Sequence, residues 1–301
     1  DTIGNTTDFD ANMAVLVNDL MFAKMTDLRY KLGTAPLAVP VTETERIPTW
    51  KEVSQVQAIS RKCEEYLPLI EPYVDWVKIE ALRDRLVVGG RQFFSKAIDT
   101  MREMSIDVKD PARVLVVMKL LGPAKCEELF GVGERDDNYL RGHKPVLETD
   151  LVRQTMEKRE VLLQSVSALG TDENIKGKNI VVASTDVHEF AKFLLTSTLD
   201  SVGGNVIDFG INRDPEDIVK VALETEADAI VITTHNGVAR TFGTTLIGCL
   251  KEAGVNSPVF MGGVLNEDIE GSDVPVDVRN HLHELGIQTP DSVEDLLGAL
   301  R

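Results

Sequence analysis

The chain has 301 residues, enough for two ordinary domains that each bury a core. Apolar residues at 43% and charged residues at 27% make a soluble globular balance, and no apolar run nears the roughly 20 residues that cross a bilayer. A formal net charge of -17 argues against a nucleic-acid partner, because a phosphate backbone needs clustered Lys and Arg.

The N-terminus, Asp1-Thr2-Ile3-Gly4-Asn5, lacks the basic start and apolar core of a secretory signal, and it lacks an initiator methionine. We read it as a processed chain or a piece of a longer one. Asp10 is placed to cap a helix with apolar residues at Met13, Leu16, Val17, Leu20, Met21, Met25 and Leu28, stopping near Gly33. Leu37–Thr42 reads as one short strand. A second helix starts after Pro48 and runs toward Tyr66, with Pro68 and Pro72 marking its end or a break. Helical patterns follow over Val77–Met104 and from Asp110-Pro111 to Phe130. The polar, glycine-rich stretch 131–145 reads as a linker, and a helix over Leu147–Leu169 as a connecting arm. Cys63, Cys126 and Cys249 stand at no metal or redox spacing and read as reduced, packed thiols of a cytoplasmic protein.

From Asn179 the rhythm becomes strand and helix in alternation. Strands are expected at 179–184, 204–209, 228–233 and 257–261, with a fifth at Val274–Val276 or as a stub at Ile287. Asp214-Pro215-Glu216 opens one of the intervening helices, and the last helix is expected over 291–300. Continuous apolar strands separated by helices predict an α/β domain with a doubly wound parallel sheet, behind a mainly helical N-terminal domain.

Asp186-Val187-His188 lies between the first strand and the helix after it, at the sheet end where open α/β folds place ligands. A carboxylate two residues before a histidine can take one ring nitrogen and leave the other for a metal. A plainer reading stands beside it: Asp186 and Glu189 are spaced as a capping box, with His188 an exposed first-turn residue. Of the other histidines, His235 follows an adjacent strand and should approach His188 at the same sheet end, whether near the site or as a satisfied core residue. His281 and His283 lie two apart in a helix and make a poor metal pair. Gly203-Gly204 and Gly262-Gly263 do not form a dinucleotide-binding loop.

With these residues the C-terminal part resembles the cobalamin-binding domain of B12-dependent mutases and corrinoid methyltransfer proteins. The family's Asp-x-His-x-x-Gly falls on Asp186-Val187-His188-Glu189-Phe190-Ala191, its Ser-x-Leu on Thr233-Thr234-His235, and its Gly-Gly on Gly262-Gly263. The resemblance implies a flavodoxin-like fold and a bound cobalamin, adenosylcobalamin ahead of methylcobalamin. It implies Asp186, Val187, His188, Thr233, Gly262 and Gly263 at the cofactor, His188 as lower ligand of the corrin cobalt, and Asp186 as its orienting partner. Ala191 in place of glycine and His235 in place of leucine depart from the pattern. They leave open a degenerate domain that binds no corrin.

Pro40–Pro48, with Glu43 and Arg46, resembles an active-site loop of a β/α barrel that binds a small carboxylate or amine; a solvated charged turn is the plainer reading. The N-terminal half loosely resembles the barrel subunit of glutamate mutase-type enzymes. A complete barrel needs about 250 residues, far more than precede the linker. The expected organisation is a helical domain or partial barrel at 1–145, a connector at 146–175 and a cobalamin-binding domain at 176–301. The expected role is a cobalamin-binding component of an adenosylcobalamin-dependent mutase, an isomerase working with a partner subunit that carries the barrel. The alternative is a methyl carrier serving separate methyltransferases. No nucleic-acid or membrane partner is expected, and a homo-oligomer is possible.

Overall fold

The computed structural model describes residues 8–33, 39–43, 48–167, 175–235, 237–267, 269, 272 and 275–301. The chain forms two compact units, residues 1–83 with 270–275, and residues 84–269 with 276–301.

In the first unit, α1 (Phe9–Tyr30) is capped by Asp8, whose carboxylate accepts from the Asp10 and Ala11 amides at 3.0 and 3.1 Å. The cap thus sits two residues before the expected Asp10. α2 (Trp50–Ile70) opens with a capping box between Thr49 and Glu52. It accommodates Pro68 and ends in a single 3-10 turn, Glu71–Tyr73. Leu16 and Leu20 of α1 pack with Val56 and Cys63 of α2, and Met25 packs with Leu67 and Trp76. The start of α3 (Trp76–Glu103) adds an edge-on contact between Trp76 and Tyr30, with ring centroids 6.1 Å apart.

The strand expected at Leu37–Thr42 does not form over its described residues. Residues 39–43 make a turn in which the Glu43 amide donates to the Pro40 carbonyl at 3.1 Å. Pro40 has no N–H to give a ladder, and the Thr42 hydroxyl bonds Glu52 of α2 at 2.9 Å instead. Leu37, Ala38 and Arg46 lie outside the described residues.

In the second unit, the end of α3 packs on α4 (Pro111–Phe130) through Ala97, Cys126 and Phe130. Asp110 caps α4 by accepting from the Ala112 amide at 3.0 Å. Gly122, at φ 74°, breaks the helix just before Pro123. The stretch 131–145 is not an open linker. Arg135 bridges His143, the Asp136 amide donates to the Gly142 carbonyl at 3.0 Å, and Leu140–Gly142 makes a 3-10 turn. Its polar groups satisfy one another, which composition alone does not reveal. α5 (Asp150–Ser167) follows, and the end expected at Leu169 lies outside the described residues.

The α/β part alternates β1 (Asn179–Ser184), α6 (Phe190–Ser201), β2 (Asn205–Gly210), α7 (Pro215–Glu224), β3 (Ala229–Thr234), α8 (Ala239–Ala253) and β4 (Val259–Gly263). The strands are parallel in the order β2-β1-β3-β4, so the winding reverses between β1 and β3. Val181, Ala183, Ile230, Ile232 and Met261 pack on one face with Ile218, Leu246 and Leu250 of α7 and α8. Ile180, Val182, Val231 and Phe260 fill the other face with Leu199 of α6. Full burial of each such Val or Ile side chain is worth about 1.5–3 kcal/mol, which is why these strands are apolar throughout.

At the fifth position only a stub pairs: Gln288 bridges Phe260 in parallel, its amide donating to the Val259 carbonyl at 2.9 Å. This is the Ile287 alternative. Val276–Asp277 (β6) instead pairs antiparallel with Asn266–Glu267 (β5), and Val274 lies outside the described residues. α9 (Arg279–Glu284) and α10 (Val293–Leu300) complete the unit. Leu296, Leu297 and Leu300 of α10 pack under Phe260. No helix among the described residues is long and apolar enough to cross a membrane.

Candidate functional site

Every parallel strand ends on one rim, and the winding reversal between β1 and β3 opens a ligand-binding position there. The loop after β1 delivers Asp186 and His188 to that position; the end of β3 delivers Thr233, Thr234 and His235.

Asp186 is the hub. It is only 4% exposed, and both oxygens of its carboxylate are engaged. Oδ1 accepts from the His188 amide at 2.8 Å and lies 2.8 Å from the His188 ring Nδ1. Oδ2 accepts from the His235 amide at 2.7 Å and from the Thr185 hydroxyl at 3.3 Å. A carboxylate offers no proton, so in the neutral imidazole Nδ1 is the donor and Nε2 keeps its lone pair. The His188 side chain is 47% exposed, in contrast to the buried carboxylate that holds it.

The capping-box alternative does not form. Glu189 is the N-cap residue of α6 but makes no side-chain cap bond, and the Asp186 oxygens serve the contacts just described. Val187 is exposed, as is Ala191 in the first turn of α6. The rings of His188 and His235 lie 4.4 Å apart at 54°, so the expected approach of the two histidines occurs. Partial burial of the ring, then the neighbouring His188, hold the His235 imidazole below the ordinary histidine range, against the opposite pull of Asp186. His281 and His283 bond Thr244 and Thr289 respectively and do not converge.

Thr233 and the two glycines line the same rim. Thr233 Oγ1 is buried and has no hydrogen-bond partner among the described residues, an orphan that a bound polar group would satisfy. A Cβ on Gly262 would meet nothing within 4 Å, so the protein itself leaves that space open. Gly263 differs: its φ is +105° and a Cβ there would stand 2.2 Å from the Thr234 carbonyl oxygen, so the fold alone demands glycine. The orphan hydroxyl, the open space and the free imidazole nitrogen together suit a large ligand that carries its own metal. Among the described residues no group of three or more His, Cys, Asp or Glu side chains converges to hold a bare ion.

Sequence reasoning missed two parts of this arrangement. The Thr185 hydroxyl, which also bonds Thr234 at 3.0 Å, carries no motif signal. The partner of Glu189 is Arg141, from the Leu140–Gly142 turn, 48 residues earlier in the chain.

Residues 178–278 match the family described as B12 binding domain. No match was found among curated protein sequences. Among solved structures, a cobalamin-binding protein from Desulfitobacterium hafniense DCB-2 is similar at 16% identity and TM-score 0.37, over 73% of this chain and 93% of that one. The methanol:cobalamin methyltransferase complex MtaBC from Methanosarcina barkeri is similar at 17% identity and TM-score 0.35, over 52% of this chain and 58% of that one. With its parallel sheet wound on both faces, the stretch 178–278 of this chain is a B12-binding domain.

Proposed function

We propose that the chain is a corrinoid carrier: it holds cobalamin on the rim of its sheet, with His188 as the lower axial ligand, and presents it to partner enzymes. The observation that carries the binding mode is the His188–Asp186 pair, in which a buried carboxylate engages Nδ1 of a half-exposed imidazole and leaves Nε2 as the acceptor nitrogen. Asp186, Val187, His188, Thr233, Gly262 and Gly263 form the proposed cofactor site. The proposed division of labour assigns 1–145 to a helical domain, 146–175 to a connector and 176–301 to cobalamin binding.

When bound, cobalamin supplies a cobalt centre that takes up and gives up an alkyl group. The protein's residues do the rest. Asp186 keeps a proton on Nδ1 and raises the donor strength of Nε2. Thr233 Oγ1 would bond the buried nucleotide tail, and the space beside Gly262 would admit it. Gly263 shapes the strand end that both share.

The described residues before Asn179 hold helices and no strand, so any barrel would belong to a partner. A helical segment ahead of the cobalamin domain resembles the layout of corrinoid methyl carriers, which favours that reading over a mutase component. Titration with methylcobalamin and adenosylcobalamin tests the choice. A carrier binds both, because it grips the lower face and tail that they share, and it yields its methyl group to a partner methyltransferase. A strong preference for the adenosyl form in the presence of a partner barrel would select the mutase reading. No binding of any cobalamin would leave a degenerate assembly domain.

A further inference from the structure

Glu189 follows His188 directly, begins α6 and caps nothing with its side chain. Its carboxylate is only 9% exposed. A buried carboxylate needs a partner, and here the partner comes from outside the α/β part. Arg141 donates from Nε to Oε2 at 3.2 Å, and its Nη2 bonds Oε1 in a two-pronged pair. Arg141 adopts a left-handed backbone, φ 62° and ψ 19°, rare for a residue with a long side chain, and Gly142 continues the turn at φ 73°.

That turn is firmly built. The Gly142 amide donates to the Tyr139 carbonyl at 3.0 Å, and the Lys144 amide donates to the Glu134 carbonyl at 2.9 Å. The Lys96 ammonium ties the Gly131 carbonyl to α3 at 2.8 Å. Arg141 therefore reaches Glu189 from a fixed support. The loop that carries His188 is held at its start by Asp186, bonded to the His235 amide, and at its end by Glu189, bonded to Arg141.

We propose that Arg141 is a positioning residue for the His188 imidazole. By pinning Glu189 it keeps Nε2 set to ligate, so the turn that carries Arg141 governs how firmly the histidine binds. The proposal rests on the reading of His188 as the lower ligand, and it adds a control that acts from 48 residues away in sequence. A guanidinium suits the role because its planar fork holds both carboxylate oxygens at once, which an ammonium does less well.

The test loads the full chain with methylcobalamin and reads the visible spectrum for the histidine-ligated form, along with the dissociation constant. Arg141→Ala should lower affinity about tenfold and shift the bound cofactor away from histidine ligation, with Arg141→Lys recovering part of both. Arg102→Ala, which breaks only the exposed Arg102–Asp99 pair on α3, should match the wild type. If Arg141→Ala does not fold, the double variant Arg141→Gln with Glu189→Gln leaves no stranded charge and should still lose histidine ligation. A folded Arg141 variant with the wild-type spectrum and affinity overturns the proposal while His188 remains the ligand. A wild-type spectrum that does not depend on His188 overturns both readings.

Discussion

One oxygen of Asp186 binds His188 twice: Oδ1 takes the backbone amide and faces ring Nδ1, each at 2.8 Å. Backbone and ring are thus locked to the same buried atom, which fixes both the tautomer and the direction of Nε2. The second oxygen reaches across to the end of β3 through the His235 amide, so the rims of β1 and β3 are tied where the winding reverses.

Asp186→Asn should separate stability from ligation. An amide keeps one acceptor but turns an NH2 toward one of the donors now served, leaving a buried group unpaired. We expect a loss of about 1–3 kcal/mol in urea unfolding. We also expect a ten- to hundredfold weaker cobalamin complex, roughly the usual cost of removing an orienting partner. Wild-type affinity in a folded variant would contradict the role.

Thr233→Val replaces an orphaned hydroxyl with a methyl of similar size. In the protein without cofactor, denaturant midpoints should stay equal or rise, because a buried unsatisfied group is removed. Affinity for cobalamin should fall by about three- to tenfold, the worth of one hydrogen bond. Affinity for cobinamide, which has no nucleotide tail, should not change.

The two glycines should behave differently. Gly263→Ala forces a side chain into the left-handed region and against the Thr234 carbonyl, so unfolding should show a loss of at least about 2 kcal/mol. Gly262→Ala meets open space and should change stability by no more than about 0.5 kcal/mol. It should nevertheless weaken cobalamin binding, and leave cobinamide binding intact, if the tail uses that space. Equal loss for both ligands would place the tail elsewhere.

Tyr139, in the segment that presents Arg141, is pushed up to about 12 by burial and by the nearby Glu148 carboxylate. A pKa raised in the fold means that the unfolded chain gives up this proton first. Its contribution to stability is therefore complete below the ordinary tyrosine range near pH 10 and is lost as pH rises toward 12. An ultraviolet titration should show one late phenol that Tyr139→Phe removes. That variant should also flatten the fall of stability over the same pH window.

The α/β part was legible because its strands are buried on both faces. Runs such as Ile180–Ala183 and Ala229–Ile232 had no other reasonable home, and the structure pairs them in register. The apolar stretch at 37–42 looked similar but has no described neighbour to pair with, and Pro40 and Thr42 draw its described part into a turn. Within the site, Asp186 and His188 were readable because they act over two residues. Glu189 was not: its spacing from Asp186 suggested a helix cap, but both carboxylates found partners 48 or 49 residues away, Arg141 and the His235 amide. Gly122-Pro123 is a helix breaker that the surrounding apolar pattern masks, because α4 resumes after the break.

The identity of the lower ligand can be read directly from the unpaired electron of bound cobalamin reduced to the cobalt(II) state. We predict that each line of the electron paramagnetic resonance spectrum splits into a triplet in ordinary protein and a doublet in protein labelled with nitrogen-15 histidine. His188→Ala should abolish that change. A triplet that persists in labelled protein would mean that the cofactor keeps its own base, and that the imidazole at the rim of β1 does not ligate it.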